Sequence, residues 1–91
     1  MTTQRKIDIL MDNFKEFLKE KNKRYGDSAL CPIQIFSKET AQTQIMNRLD
    51  DKLSRIANSK ELKKNDVADV LGYIVLLMIS NDWTSFDEFL D

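Results

Sequence analysis

The segment 67–79 constrains this chain more than any other. It contains Val67, Val70, Leu71, Ile74, Val75, Leu77, Met78 and Ile79. At 100° per residue these side chains cover most of the circumference of a helix. A helix that is apolar nearly all round must be buried on several sides. The chain has only 91 residues, enough for one small domain. Its other helical segments are too few and too short to surround this one. A chain of this size buries only roughly 60–65% of its unfolded surface. The expectation is therefore an all-α domain, residues 1–91, that forms a homo-oligomer packed along this helix. The two Gly and one Pro agree with helices over turn-rich β structure. The longest apolar run, residues 70–79, falls far below the about 20 needed to span a bilayer.

Apolar spacing places the other elements. Ile7, Leu10, Met11, Phe14, Phe17 and Leu18 recur every three or four residues and predict an amphipathic helix from 6 to about 22. Tyr25-Gly26-Asp27-Ser28 should stop it, with Gly as the terminator. A connector, 29–38, contains Pro32, and its Ile33, Ile35 and Phe36 are expected under the core. Ser37 or Thr40 should cap a second helix running to about 57, with Ile45, Met46, Leu49, Leu53 and Ile56 as its apolar stripe. Residues 60–64 read as an exposed loop or a short turn, and Asn65 as the cap of the third helix, 66 to about 80. Ser85-Phe86-Asp87-Glu88 reads as a capping box that opens a short last helix. Phe86, Phe89 and Leu90 should dock that helix on the bundle, with Trp83 as its anchor. The predicted architecture is three main helices plus a short C-terminal helix.

Composition narrows the chemistry. Fourteen basic and 15 acidic residues leave a net charge of −1, which argues against a strongly basic nucleic-acid binder and a polybasic membrane anchor. The chain has no His, so Ser–His and Cys–His nucleophile pairs and His-ligated metals are excluded. The lone Cys31 excludes an internal disulfide and a multi-Cys zinc site, and reads as a small apolar filler. The first residues lead into a charged amphipathic segment with no apolar signal core, so a cytoplasmic location is expected, where a free thiol fits. No Gly-rich phosphate loop is present.

Three polar groups stand out against this background. Asp66, Asp69 and Tyr73 share one face of the third helix. Asp66 suits the positive end of the helix dipole. Asp69 lies inside the apolar run, and a buried carboxylate there must meet a cation, a metal or several donors. Arg48, Lys52 and Arg55 form a basic row on the second helix, with Asp51 one turn from Arg55. The row is either an exposed face stabilised by such pairs or an anion site, since Arg forks bind phosphate oxygens. Lys21 continues the Phe14/Phe17/Leu18 face, followed one turn later by Tyr25. It either snorkels to solvent or aims at an anion, with Tyr25 available for stacking.

The segments Lys21-Asn22-Lys23-Arg24-Tyr25-Gly26, Asp51-Lys52-Leu53-Ser54-Arg55-Ile56 and Asp66-Val67-Ala68-Asp69-Val70-Leu71-Gly72-Tyr73 occur in this order. Together they resemble the phage nucleotide-modification-associated domain family of the first type. That family shows K-N-x-D-Y-G, D-K-x-x-R-I and D-x-x-D-L-x-x-Y segments. The resemblance spans residues 14 to 77, with Arg24 in place of the usual acid before Tyr-Gly. The third helix also resembles the E-x-x-D helix of MazG-like all-α nucleotide pyrophosphohydrolases. That likeness implies Mg²⁺ held by Asp66 and Asp69. The E-E-x-x-E of the preceding helix is missing, and Asp51 stands in its place.

Three functions are then expected to compete. In the first, Asp66, Asp69 and Asp51 hold Mg²⁺, and a metal-activated water attacks an α–β phosphate linkage. In the second, Lys21, Tyr25, Arg48, Lys52 and Arg55 capture a nucleotide or nucleotide-derived molecule without turnover, as a sponge for a host signal. In the third, the charged rows are salt bridges within a structural homo-oligomer.

Overall fold

A computed structural model of the chain describes residues 1–32, 34 and 38–90. The expected core positions of Ile33, Ile35 and Phe36, and the alternative cap Ser37, lie outside the described residues. The architecture is all-α: α1 (Thr3–Arg24), α2 (Ala41–Asn58) and α3 (Lys64–Ser80), followed by a 3₁₀ turn, Asp87–Phe89. No strand occurs among the described residues.

Helix α1 starts earlier than its apolar pattern. Thr2 caps it, its hydroxyl accepting the Arg5 backbone N–H at 3.1 Å. Apolar periodicity marks where a helix packs, whereas a hydroxyl cap marks where it begins. At the far end the Asp27 N–H returns to the Asn22 carbonyl at 3.0 Å and the Gly26 N–H to that of Lys23 at 3.3 Å. With Gly26 at φ 60°, this is a Schellman closure. Helix α2 begins at the expected Thr40, whose hydroxyl accepts the Thr43 N–H at 3.2 Å. Helix α3 does not use Asn65 as its cap. It starts at Lys64 after an extended Lys63 that makes no side-chain cap bond, so Asn65 sits inside its first turn with Asp66. The Asp66 charge suits that end of the helix dipole. Helix α3 ends in a second Schellman closure. Asp82 holds the left-handed position at φ 58°, and the Trp83 N–H reaches the Met78 carbonyl at 3.0 Å.

The short segment 59–63 folds α2 and α3 into an antiparallel hairpin, and these two helices carry the main packing of the chain. Ile45 of α2 is the one fully buried large apolar side chain among the described residues. Leu49 and Ile56 are half-buried, while Met46 and Leu53, on the edge of the same stripe, are exposed. Helix α1 crosses α3 at Gly72. A methyl group built there would stand 3.5 Å from Leu18 Cδ1 and 3.8 Å from Phe14 Cζ, ordinary packing distances.

One expectation is met and one is corrected. A single chain does not enclose α3: only Asp66 and Gly72 are buried in it, and Val67, Ile74 and Ile79 are exposed. The C-terminal segment does not dock. Trp83, Phe86, Phe89 and Leu90 are all exposed. Among the described residues the Ser85–Glu88 capping box is not formed, and Ser85 makes only a long hydrogen bond, its hydroxyl accepting the Asp87 N–H at 3.5 Å. A three-residue 3₁₀ turn is too short to present an apolar face. No helix is long and apolar enough to cross a membrane among the described residues.

Candidate functional site

The crossing of α1 over α3 leaves a cavity of about 290 Å³ between the C-terminal half of α1, its closing loop and the hairpin. Phe14, Phe17, Leu18, Ala68 and Leu76 form apolar wall, and Lys21, Arg48, Lys52, Asp69, Tyr25 and Tyr73 supply most of the polar lining.

Asp69 organises the polar side. Helical phase points it from α3 towards both neighbouring helices. Lys52 Nζ of α2 lies 3.0 Å from its Oδ2, and Lys21 Nζ of α1 lies 3.4 Å from its Oδ1. One carboxylate thus ties three helices together. The Lys52 side chain is only 19% exposed, whereas that of Lys21 is 41% exposed. Lys52 therefore carries the stronger, less screened contact. Lys21 also rests 5.5 Å above the Phe17 ring, a cation–π distance. Partial burial pushes the Asp69 carboxyl up, but the hydrogen bonds and charges of Lys52 and Lys21 outweigh it and hold the group below its ordinary range.

Of the residues expected at a site, Lys21, Tyr25, Arg48, Lys52 and Asp69 share this cavity. Arg55 does not line it, and it makes no ion pair with Asp51 among the described residues. The basic row of α2 is thus split. Arg48 and Lys52 line the cavity, whereas Arg55, on the same face but roughly 10 Å further along α2 than Arg48, lies beyond its lining. Asp66 is buried away from the cavity, and Asp51 is exposed on α2. The proposed metal ligands Asp51, Asp66 and Asp69 are therefore not gathered as a set. Among the described residues no three of His, Cys, Asp and Glu are placed to hold a metal ion. The donor chemistry also does not fit Mg²⁺, because two ammonium groups already occupy the Asp69 oxygens.

Sequence reasoning missed Asn22, Ser28 and Ala29, which line the cavity from the end of α1 and its loop. The signal for them is the Asn-x-x-Tyr-Gly closure itself, which folds the chain back at this point. Asn22 steadies that loop, its side-chain amide donating to Asp27 Oδ1 at 2.8 Å. Cys31 is not a filler. It is exposed, and its thiol donates to Asp27 Oδ2 at 3.6 Å. That hydrogen bond and the neighbouring negative charge push the thiol up, so it stays protonated and weakly nucleophilic at neutral pH.

No family model matches the chain, and no curated protein or solved structure matches it. The resemblance of the three segments therefore rests on their own residues.

Proposed function

We propose that the cavity binds an anionic, ring-bearing small molecule of the nucleotide class, and that the chain does so as a homo-oligomer without turning the ligand over. The observation that carries this reading is a local excess of positive charge. The cavity is lined by Lys21, Arg48 and Lys52 against the single carboxylate Asp69, in a chain whose net charge is −1. An excess of cations in a partly enclosed, low-dielectric site attracts phosphate far more strongly than the same charges spread over a surface. Arg48 supplies a fork for phosphate oxygens, and Tyr25 and Phe17 offer aromatic faces. The volume sits near the lower end of the roughly 300–1,000 Å³ of small-molecule sites. The motif resemblance supports the nucleotide class and a phage setting, in which such a protein would sequester a host nucleotide signal.

Binding is favoured over hydrolysis by the state of Asp69. A Mg²⁺-dependent attack on an α–β phosphate linkage would first require both lysines to leave that carboxylate. The test is a panel of nucleotides and inorganic pyrophosphate, with and without Mg²⁺, followed by thermal shift and by chromatography of the recovered nucleotide. A raised melting temperature with the nucleotide intact is expected. Pyrophosphate release that is abolished in Asp69→Asn would instead establish the enzyme. The absence of a shift with every member of the panel would sink both and leave Asp69 as a clamp within a structural assembly.

A further inference from the structure

The chain exposes 7617 Å² of accessible surface, whereas a monomeric protein of its 10.7 kDa mass exposes about 5,500 Å². The excess is about 2,100 Å² per chain, against about 800 Å² per partner in an interface of standard size. The radius of gyration tells the same story, 15.0 Å against about 12 Å for a compact chain of this length.

Exposed apolar side chains gather on the C-terminal segment, where Trp83, Phe86, Phe89 and Leu90 stand free, on one face of α1 and on the outer side of the hairpin. On α1, Ile7, Leu10 and Met11 are 49%, 59% and 50% exposed. They continue, towards the N-terminus, the same face that packs Phe14 and Leu18 onto Gly72. That face runs on for two turns and stays about half exposed. On the hairpin, Met46 and Leu53 of α2 and Val67 and Ile74 of α3 are 42–50% exposed. Helical phase sets Val67 and Ile74 opposite Asp69 and Gly72, on the side of α3 away from the cavity. In the antiparallel register set by Lys52 and Asp69, the two α2 residues flank the two α3 residues.

We infer that a second copy of this chain covers both surfaces, the face Ile7–Leu10–Met11 of α1 and the outer strip Met46–Leu53–Val67–Ile74 of the hairpin. Even half of the excess, doubled across a pair, is roughly 2,000 Å², where the range of obligate homo-oligomers begins, whose contacts resemble a domain core cut in half. Aliphatic and Met side chains with few charges are what such a contact buries. A net charge of −1 leaves little repulsion between copies. The inference rests on the homo-oligomeric part of the proposed function and is independent of what the cavity binds.

Sedimentation of the full chain from low to high micromolar concentration tests it, together with the variants Leu10→Glu and Ile74→Glu and the loop variant Lys60→Glu as a control. The expected result is an oligomer for the unaltered chain and Lys60→Glu, with each of the other two variants shifted at least tenfold towards monomer. Amide exchange of the unaltered chain gives a readout free of any folding defect in the variants. Protection of residues 6–12 should be high in the oligomer and lost on dilution. A chain that sediments as a monomer throughout overturns the inference. So does an oligomer in which residues 6–12 exchange freely or in which both Glu variants assemble normally. Because ligand-induced stabilisation is measured separately, a monomer that still shifts with nucleotide would sink the assembly and leave the binding site standing.

Discussion

Lys52 Nζ lies 3.0 Å from Asp69 Oδ2, and the lysine side chain that makes this contact is only 19% exposed. The pair joins the two helices of the hairpin and forms one wall of the cavity, so fold stability and ligand capture draw on the same carboxylate.

Stability should therefore depend on pH through Asp69. Its carboxyl is held below the ordinary range in the folded chain, the cations outweighing its partial burial. A group that releases its proton more readily folded than unfolded stabilises the fold fully above the unfolded value, about pH 4. That contribution fades as the pH falls through the lower folded value. Melting curves from pH 7 down to pH 2 should show this loss, and Asp69→Asn should flatten it. At pH 7 the same variant should cost about 1–3 kcal/mol, because Lys52 is left partly buried without its partner. A variant that melts like the unaltered chain at both ends of the range would show that the pair does not hold the hairpin.

Much of this was legible in the residues themselves. Spacing located three helices to within a few residues, because each has at least one apolar stripe at helical period. It also singled out Asp69, since a carboxylate inside an apolar run must have a partner. It could not say which partner. The phases of Lys21 and Lys52 converge on Asp69 only once the crossing of α1 over α3 and the register of the hairpin are known. The C-terminal segment misled for a different reason. Ser85 and Glu88 have capping-box spacing, but a local pattern cannot form a helix that has nothing to pack against. Asn65 misled because Asp66 beside it suits the helix dipole, while the helix begins two residues earlier than that cap implies.

Arg48 separates binding from stability. It lines the cavity and is exposed, and it carries no ion pair among the described residues. Arg48→Ala should leave the melting temperature of the free protein within about 0.5 kcal/mol of unchanged, as for most surface substitutions. The affinity for a phosphorylated ligand should fall about tenfold or more, the loss of a charge-assisted hydrogen bond of roughly 1.5–3 kcal/mol. Titration calorimetry with the nucleotide that gives the largest thermal shift checks both halves. Equal affinity in the two proteins would place the phosphate outside this cavity.

The two helix ends should respond to substitution in opposite directions. Gly26 and Asp82 occupy the same left-handed position of the two Schellman closures, at φ 60° and φ 58°. A Cβ at Gly26 would meet nothing within 4 Å, so Gly26→Ala should cost about 1 kcal/mol through the backbone alone. Asp82 already bears that strain, and Asp82→Gly should recover up to about 1 kcal/mol. For a domain of this size each kcal/mol is about 4–8 °C in melting temperature. A fall for Asp82→Gly would mean that the Asp side chain stabilises the turn by more than its backbone strain costs.

Cys31 should react slowly for an exposed thiol. Its hydrogen bond to Asp27 and the adjacent negative charge raise its proton affinity, and the thiolate is the reactive species. Alkylation by iodoacetamide at pH 7.5 should therefore be slower than for an unstructured cysteine peptide. Asp27→Asn removes the charge while keeping a residue type that tolerates the left-handed backbone found at this position, φ 58°. The rate should then rise several-fold, with the pH profile of alkylation moving to lower pH and the helicity unchanged. An unaltered profile would show that Asp27 does not govern the thiol. A rise accompanied by loss of helicity would instead trace the reactivity to opening of the loop that Asn22 and Asp27 hold closed.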